Sequence, residues 1–298
     1  MTNRQLAAFA AAVASLVALV NCGASPPSGP TPPGGGPPPP AASAQILAAG
    51  DIGECGFGAL KTGLLLDKLP GTLLALGDLA YFQGSTVNFR DCYDPAWGRH
   101  IDRTRPVPGN HEYETPGASS FYDYFGGLAG PRGLGYFAFT AGPWRIIGLN
   151  SELPMGPGSP QNLWLRDELA SNRQGCAMAY WHRPLFSSGP NGNNPDTREL
   201  WRTLSEFGAD VVLNGHDHLY ERFAPQDLDG KASSTGIRQF IAGTGGAHLY
   251  TPGATKPNSE KRASAYGILK MTLTPSGYQW EFLSVDNTVL DSGSGVCH

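Results

Sequence analysis

The stretch Val211–Arg222, VVLNGHDHLYER, runs from an apolar start through Asn214 and Gly215 into two histidines flanking one aspartate. Side chains of extended backbone alternate sides, so His216 and His218 can face one way at the mouth of a strand. The chain has only seven histidines in 298 residues, so a pair placed directly after an apolar run asks for a reason. The same arrangement recurs. QILAAG (45–50) leads to Asp51, and TLLALG (72–77) leads to Asp78 with Tyr81 three residues on. RPVPG (105–109) leads to Asn110-His111-Glu112, and CAMAYW (176–181) leads to His182. Five apolar runs thus end in residues able to bind a metal ion.

Helical patterns separate several of these runs. GALKTGLLLDKL (58–69) has leucines at helical spacing, and SPQNLWLRDELASNR (159–173) opens on a serine cap followed by proline. NPDTRELWRTLSEFG (194–208) has an asparagine cap, an apolar face of Leu200, Leu204 and Phe207, and a closing glycine. Strand–helix alternation predicts substantially parallel sheet, whose sites gather at the carboxyl ends of strands. Antiparallel strands are predicted at GYFAFTAG with PWRIIGLN, then at IRQFIAGTGG, YGILKMTLTP, GYQWEFLSV and NTVLDSG, with a turn at Pro275-Ser276-Gly277. The expected class is α/β, with two mixed sheets face to face and helices outside.

Taken in order, GDIG, GDLAY, GNHE, WHRP and GHDHLYER resemble the calcineurin-like metallophosphoesterases. Tyr81 within GDxxY, Gly53 where many relatives have a histidine, and the later FIAGTGG are similar to the purple acid phosphatase branch. The resemblance covers Gln45 to His298 and implies a four-layer α/β/β/α sandwich. It implies a dinuclear-metal phosphoesterase that hydrolyses phosphomonoesters by attack of metal-bound hydroxide. Phosphate esters suit such a centre, because paired cations clamp the anion and supply hydroxide near neutral pH.

By the same resemblance Asp78 bridges two metal ions. Asp51, Tyr81 and His218 complete a site for Fe(III), which the hard phenolate favours. Asn110, His182 and His216 complete a site for Zn, Mn or Fe(II). His111 is implied as the residue that binds phosphate and assists the leaving group, with Glu112 orienting its ring, and Asn110 also faces substrate. Arg183 is read either as a phosphate ligand or as a loop salt bridge. Arg222 with Glu221 is expected to brace the histidine loop, and Asp217 to support it or lie exposed. His100, His248 and His298 match no ligand position; His248 is read as a loop residue that can border the pocket.

One departure bears on substrate. Relatives place a further histidine about nine residues after the His182 position, where this chain has SSGPNGNNPD with Asn191. An amide donates a hydrogen bond but cannot shuttle a proton. A phosphodiesterase or nucleotidase on the same scaffold is therefore the first alternative. A non-catalytic surface binding lipoprotein is the second.

A net charge of −4 gives no basic footprint, so nucleic acid is not an expected partner. The expected partner is a small phosphate ester. Residues 1–22 read as a signal peptide, an uncharged apolar run LAAFAAAVASLVALV followed by Asn21-Cys22. Leucine three residues before Cys22 resembles the bacterial lipoprotein signal, which makes Cys22 the lipidation site; cleavage after Ala24 is the alternative. Residues 23–44 form a Pro/Gly-rich tether with no charge, and 45–298 the catalytic domain. The expectation is an exported protein on the outer side of a membrane, in contact with it through the lipid anchor alone. Cys55, Cys92, Cys176 and Cys297 then favour disulfides. Three pairings are open, and Cys55–Cys92 with Cys176–Cys297 is the one expected.

Overall fold

The computed structural model describes residues 43–298, residue 173 excepted. The signal peptide, Cys22 and all but the end of the tether lie outside the described residues. The folded body starts with β1 at Ala44, one residue before the expected boundary.

The first sheet contains β1 (Ala44–Ala49), β2 (Thr72–Leu76), β3 (Thr104–Val107), β11 (Gly267–Thr274), β12 (Gly277–Ser284) and β13 (Val289–Val296). Its order is β13-β12-β11-β1-β2-β3. The second contains β4 (Phe137–Ala141), β5 (Trp144–Gly148), β6 (Cys176–Tyr180), β7 (Val211–Asn214), β8 (Tyr220–Phe223), β9 (Arg238–Ala242) and β10 (Ser259–Ala263). Its order is β10-β8-β9-β7-β6-β5-β4. Both sheets are mixed. β1, β2 and β3 run parallel, as do β5, β6, β7 and β9, while the remaining strands pair antiparallel.

Alternation along the strands builds three apolar layers. Ile46, Ala48, Leu74 and Leu76 face inward and meet Ile146, Met178, Val211 and Phe240 of the opposite sheet. Leu47, Ala49, Leu73 and Ala75 face outward, under α1 (Phe57–Leu66) and an aromatic cluster of Phe89, Tyr93, Trp97, Phe121 and Phe125. On the far side, Ile147, Ala179 and Val212 pack beneath α2 (Pro160–Ala170) and α3 (Arg198–Glu206) through Leu165, Leu200, Trp201 and Leu204. This is the α/β/β/α sandwich.

Ser159 caps α2 by accepting from the Asn162 N–H, with Pro160 at the first helical position. Asn194 caps a short 3₁₀ turn that leads into α3, and Gly208 ends that helix at φ 67°. Disulfides join Cys55 to Cys92 and Cys176 to Cys297, the second tying the tail to β6. No helix among the described residues is long and apolar enough to cross a membrane.

Candidate metal centre

The strands β1, β2, β3, β6 and β7 all open toward one rim. At that rim Asp51, Asp78 and His216 adopt left-handed backbone, with φ of 58°, 50° and 72°. Such conformations are uncommon outside glycine, and Asp and His are among the few residue types that accept them. Each turns a donor side chain inward directly after its strand. Small residues let the loops approach. A Cβ on Gly109 would lie 2.3 Å from Asp78 Oδ1, and one on Gly215 would lie 2.6 Å from Asp51 Oδ2.

Asp78 stands at the middle. Its Oδ2 lies 3.0 Å from His182 Nε2 and 3.4 Å from the Tyr81 hydroxyl, while Oδ1 accepts the His111 N–H at 2.9 Å. On one side, the Tyr81 hydroxyl is 3.0 Å from Asp51 Oδ1 and 3.1 Å from His218 Nε2. On the other, His182 Nε2 is 3.1 Å from His216 Nδ1. One ligand atom from each of Asp78, His182 and His216 fits within 4.8 Å of the others. Asp51 links the halves, since its Oδ2 accepts the His216 N–H at 2.8 Å.

The outer ring atoms fix which nitrogens face inward. His182 Nδ1 donates to the Leu76 carbonyl at 2.9 Å, and His218 Nδ1 to the His248 carbonyl at 2.7 Å. Both turn Nε2 toward the cluster, the arrangement metal-binding histidines use. Asn110 follows Gly109 at the same rim, and its Oδ1 is buried with no hydrogen-bond partner. A buried carbonyl oxygen left unpaired costs of order 1–3 kcal/mol. A cation would satisfy it. Two carboxylates, three imidazole nitrogens, a phenol and an amide oxygen therefore fit a pair of metal ions.

Electrostatics point the same way. Burial opposes charge on Asp78, but His182 outweighs it and holds the carboxyl well below the usual range. Burial likewise disfavours charge on His182, yet Asp78 prevails and pushes the imidazole up to about 10. Burial and the charge on His182 push His216 down to about 3. Burial, then the Asp51 and Asp78 carboxylates, hold the Tyr81 phenol well above its ordinary value. Without a neighbouring cation that phenol stays protonated.

His111 packs its ring on Tyr81 with centroids 4.4 Å apart, and Nδ1 contacts the Phe82 carbonyl. Nε2 is 3.8 Å from Asp78 Oδ2. Glu112 does not orient this ring, contrary to expectation. It is buried and accepts four backbone N–H groups, from Asp78 at 2.9 Å, Leu79 at 2.8 Å, Ala80 at 3.2 Å and Gly109 at 2.8 Å. It thereby clamps the Asp78 loop to the Asn110 loop. Burial and the nearby Asp78 charge push its carboxyl up to about 7.

Arg183 makes the salt bridge expected of it, and its other end lies beside the cluster. Its Nε is 2.8 Å from Glu152 Oε1, while Nη1 sits 3.3 Å from His216 Nε2 at the edge of the cluster. Of the pair expected to brace the histidine loop, Glu221 is buried and accepts the Ser188 N–H at 2.8 Å, while Arg222 turns elsewhere. Arg222 pairs with Asp291 and Glu260 and lies over Trp280, away from the histidines. Asp217 is the brace. It is buried, bonded to the Ser187 hydroxyl and to the Asn191 N–H at 3.0 Å. Asn191 gives one N–H of its side-chain amide to the His216 carbonyl at 2.7 Å.

Two further supports had no sequence signal: Tyr250, stacked on His218 with centroids 4.1 Å apart, and Glu54, which pairs with His248 at 2.9 Å. His298 lies elsewhere, 3.0 Å from Asp210, and His100 packs beside Arg103 and Asp67.

Comparison with known proteins matches residues 44–220 to the family model "Calcineurin-like phosphoesterase". Among curated proteins, "Purple acid phosphatase 15" of Arabidopsis thaliana is 24% identical over 60% of this chain and 40% of its own length. An uncharacterized protein of Mycobacterium tuberculosis is 33% identical over 40% of this chain and 28% of its own. The chain thus spans well under two thirds of these relatives. Among solved structures, purple acid phosphatase PPD1 from yellow lupin (Lupinus luteus) seeds superposes with a TM-score of 0.76 at 18% identity. That match covers 85% of this chain and 54% of the lupin chain, a likeness of fold.

Proposed function

The chain belongs to the calcineurin-like phosphoesterase family, and from that premise we propose that it hydrolyses phosphomonoesters at a dinuclear metal centre. The observation that carries this reading is the convergence of donors from five strand ends around Asp78. Asp51, Tyr81 and His218 with Asp78 would hold one ion. Asn110, His182 and His216 with Asp78 would hold the other. Bound together, the two ions supply positive charge against the phosphate oxygens and acidify a water near neutral pH.

The chain's own groups do the rest. Asp78 fixes the separation of the two halves, and Glu112 fixes Asp78 by its backbone. Arg183 holds a guanidinium beside His216, where a phosphate oxygen can accept from it. His111 presents Nε2 toward the cluster with Nδ1 committed to the Phe82 carbonyl. As an imidazolium it carries a proton at Nε2 that the leaving alkoxide can take. Tyr81 favours Fe(III) in its half, while the Asn110/His182/His216 half suits Zn, Mn or Fe(II). Two disulfides support an exported setting. Within it, lipid attachment at Cys22 remains our reading of the leader.

The test is turnover of p-nitrophenyl phosphate by purified, metal-replete protein. Activity that Asp78→Ala or His216→Ala abolishes, with far-UV dichroism retained, supports the reading. Metal-replete protein inert toward mono- and diesters contradicts it. A diesterase reading is favoured by one observation, the commitment of Asn191 to the His216 carbonyl where a proton donor would otherwise stand. Faster hydrolysis of bis(p-nitrophenyl) phosphate than of the monoester would select it.

A further inference from the structure

A groove of about 580 Å³ adjoins the candidate centre through Arg183. Its walls include Ser151, Glu152, Met155, Arg183, Asn194 and Asp196. Arg183 belongs to both places, since Nη1 lies 3.3 Å from His216 Nε2 and Nε lies 2.8 Å from Glu152 Oε1. A phosphate ester held at the cluster and leaning on Arg183 has this groove within reach of its organic part.

The polar groups in the groove are mostly acceptors. Glu152 uses Oε1 for Arg183 and for the Ser151 hydroxyl at 3.1 Å; among the described residues its Oε2 has no partner. The Asp196 carboxylate makes no hydrogen bond or ion pair among the described residues, and it is exposed to the groove. Asn194 gives Oδ1 to the Asp196 N–H at 3.0 Å, which leaves its amide nitrogen to donate. Two carboxylates thus face one guanidinium that Glu152 already neutralises. No lysine and no aromatic ring lines the walls. A second anionic group on the substrate would be repelled here, and a base or aryl ring would meet Leu153, Pro154 and Met155 but no aromatic partner.

We infer that this groove receives an uncharged, hydroxyl-bearing alcohol, which makes phosphomonoesters of polyols the substrate class. The inference rests on the proposed phosphomonoesterase reading. Substrate hydroxyls would donate to Glu152 and Asp196 and accept from Asn194. Hydrogen bonds of this kind favour one substrate over another chiefly through the groups left unpaired when they are missing.

The experiment compares kcat/KM of the metal-replete protein for glycerol 3-phosphate, fructose 1,6-bisphosphate and p-nitrophenyl phosphate, in the native chain and in Asp196→Ala and Asp196→Asn. The expected native order puts glycerol 3-phosphate above the bisphosphate. Asp196→Ala should lower kcat/KM for glycerol 3-phosphate about fivefold, through KM. It should leave p-nitrophenyl phosphate within about twofold, since that ester offers the groove no hydroxyl. Asp196→Asn removes charge while keeping an acceptor, so it should raise the bisphosphate selectively. A native preference for the bisphosphate, or equal effects of Asp196→Ala on all three esters, overturns the groove assignment while the phosphatase reading stands. Inactivity toward all three overturns the phosphatase reading and this inference with it.

Discussion

Asp51, Asp78 and His216 share an uncommon backbone state, and the cost of holding a non-glycine residue there is of order 1–3 kcal/mol each. Three of the seven proposed ligands carry that strain, where a donor must turn inward immediately after a strand. The roles of single residues can be separated by substitution. Glu112→Gln keeps the shape but sets an amide against backbone N–H donors at one oxygen position. It should weaken metal binding by about 10- to 100-fold, as loss of a supporting partner generally does. Isothermal titration of metal-free protein reads this directly; unchanged affinity would remove Glu112 from the support. Tyr81→Phe should abolish any purple or pink absorption of iron-loaded protein while the fold persists. A band that survives the substitution would refute phenolate ligation.

The proton balance of metal uptake follows from His182. Its imidazole is raised to about 10 by Asp78, so near pH 7 the metal-free ring is protonated. A metal at Nε2 must expel that proton. Affinity should therefore rise with pH through the neutral range and level off above about 10. Calorimetry in buffers of different ionisation enthalpy should report proton release near pH 7, and binding without release would contradict this assignment.

At the scale of elements, the helices over α2 and α3 are legible because capping residues and a one-sided apolar stripe agree. Ser159→Ala should cost about 1 kcal/mol in urea unfolding, since the Asn162 N–H loses its acceptor. The leucine spacing of α1 also predicts a helix, but it misleads about the buried face. Leu60 and Leu64 are exposed, and Ala59, Thr62, Gly63, Leu65 and Leu66 pack against the body. Small residues win that face because the chain passes close by: a Cβ on Gly63 would lie 2.3 Å from the Ala96 carbonyl. β10, SEKRA, carries no apolar alternation because it is an edge strand, and charge there guards against further pairing. The aromatic cluster of residues 89–125 lies on short turns of mixed helix type, too brief to show a period. The five strand-end donors were readable because the strand stops where the chemistry begins. Glu152, Tyr250, the partners of Glu112 in the Asp78 loop and those of Arg222 were not, since each contact joins residues far apart in sequence at no fixed spacing. The Cys176–Cys297 link closes 121 residues and ties the tail to β6. Cys297→Ser should lower stability by about 3–5 kcal/mol, visible as a lower denaturation midpoint in non-reducing buffer.

Across the whole molecule, the sandwich explains why donors so distant in sequence converge. Two sheets packed face to face bring the ends of β1, β2 and β3 from one layer against those of β6 and β7 from the other. Asp78 and Asp51 arrive from the first sheet, and His182, His216 and His218 from the second. The cluster is thus a junction between layers, and neither sheet alone carries a complete ligand set. The calcineurin-like phosphoesterase fold supplies the scaffold, and the donor set decides what it can hold.

The central claim is that these seven side chains bind two metal ions around Asp78. Reconstitution of metal-free protein with Fe(III) and Zn(II) together, followed by metal analysis after gel filtration, tests it most directly. The account predicts about two retained ions per chain, falling to one or none in Asp78→Ala. Retention of fewer than two ions by the native chain, or of two by Asp78→Ala, would contradict it.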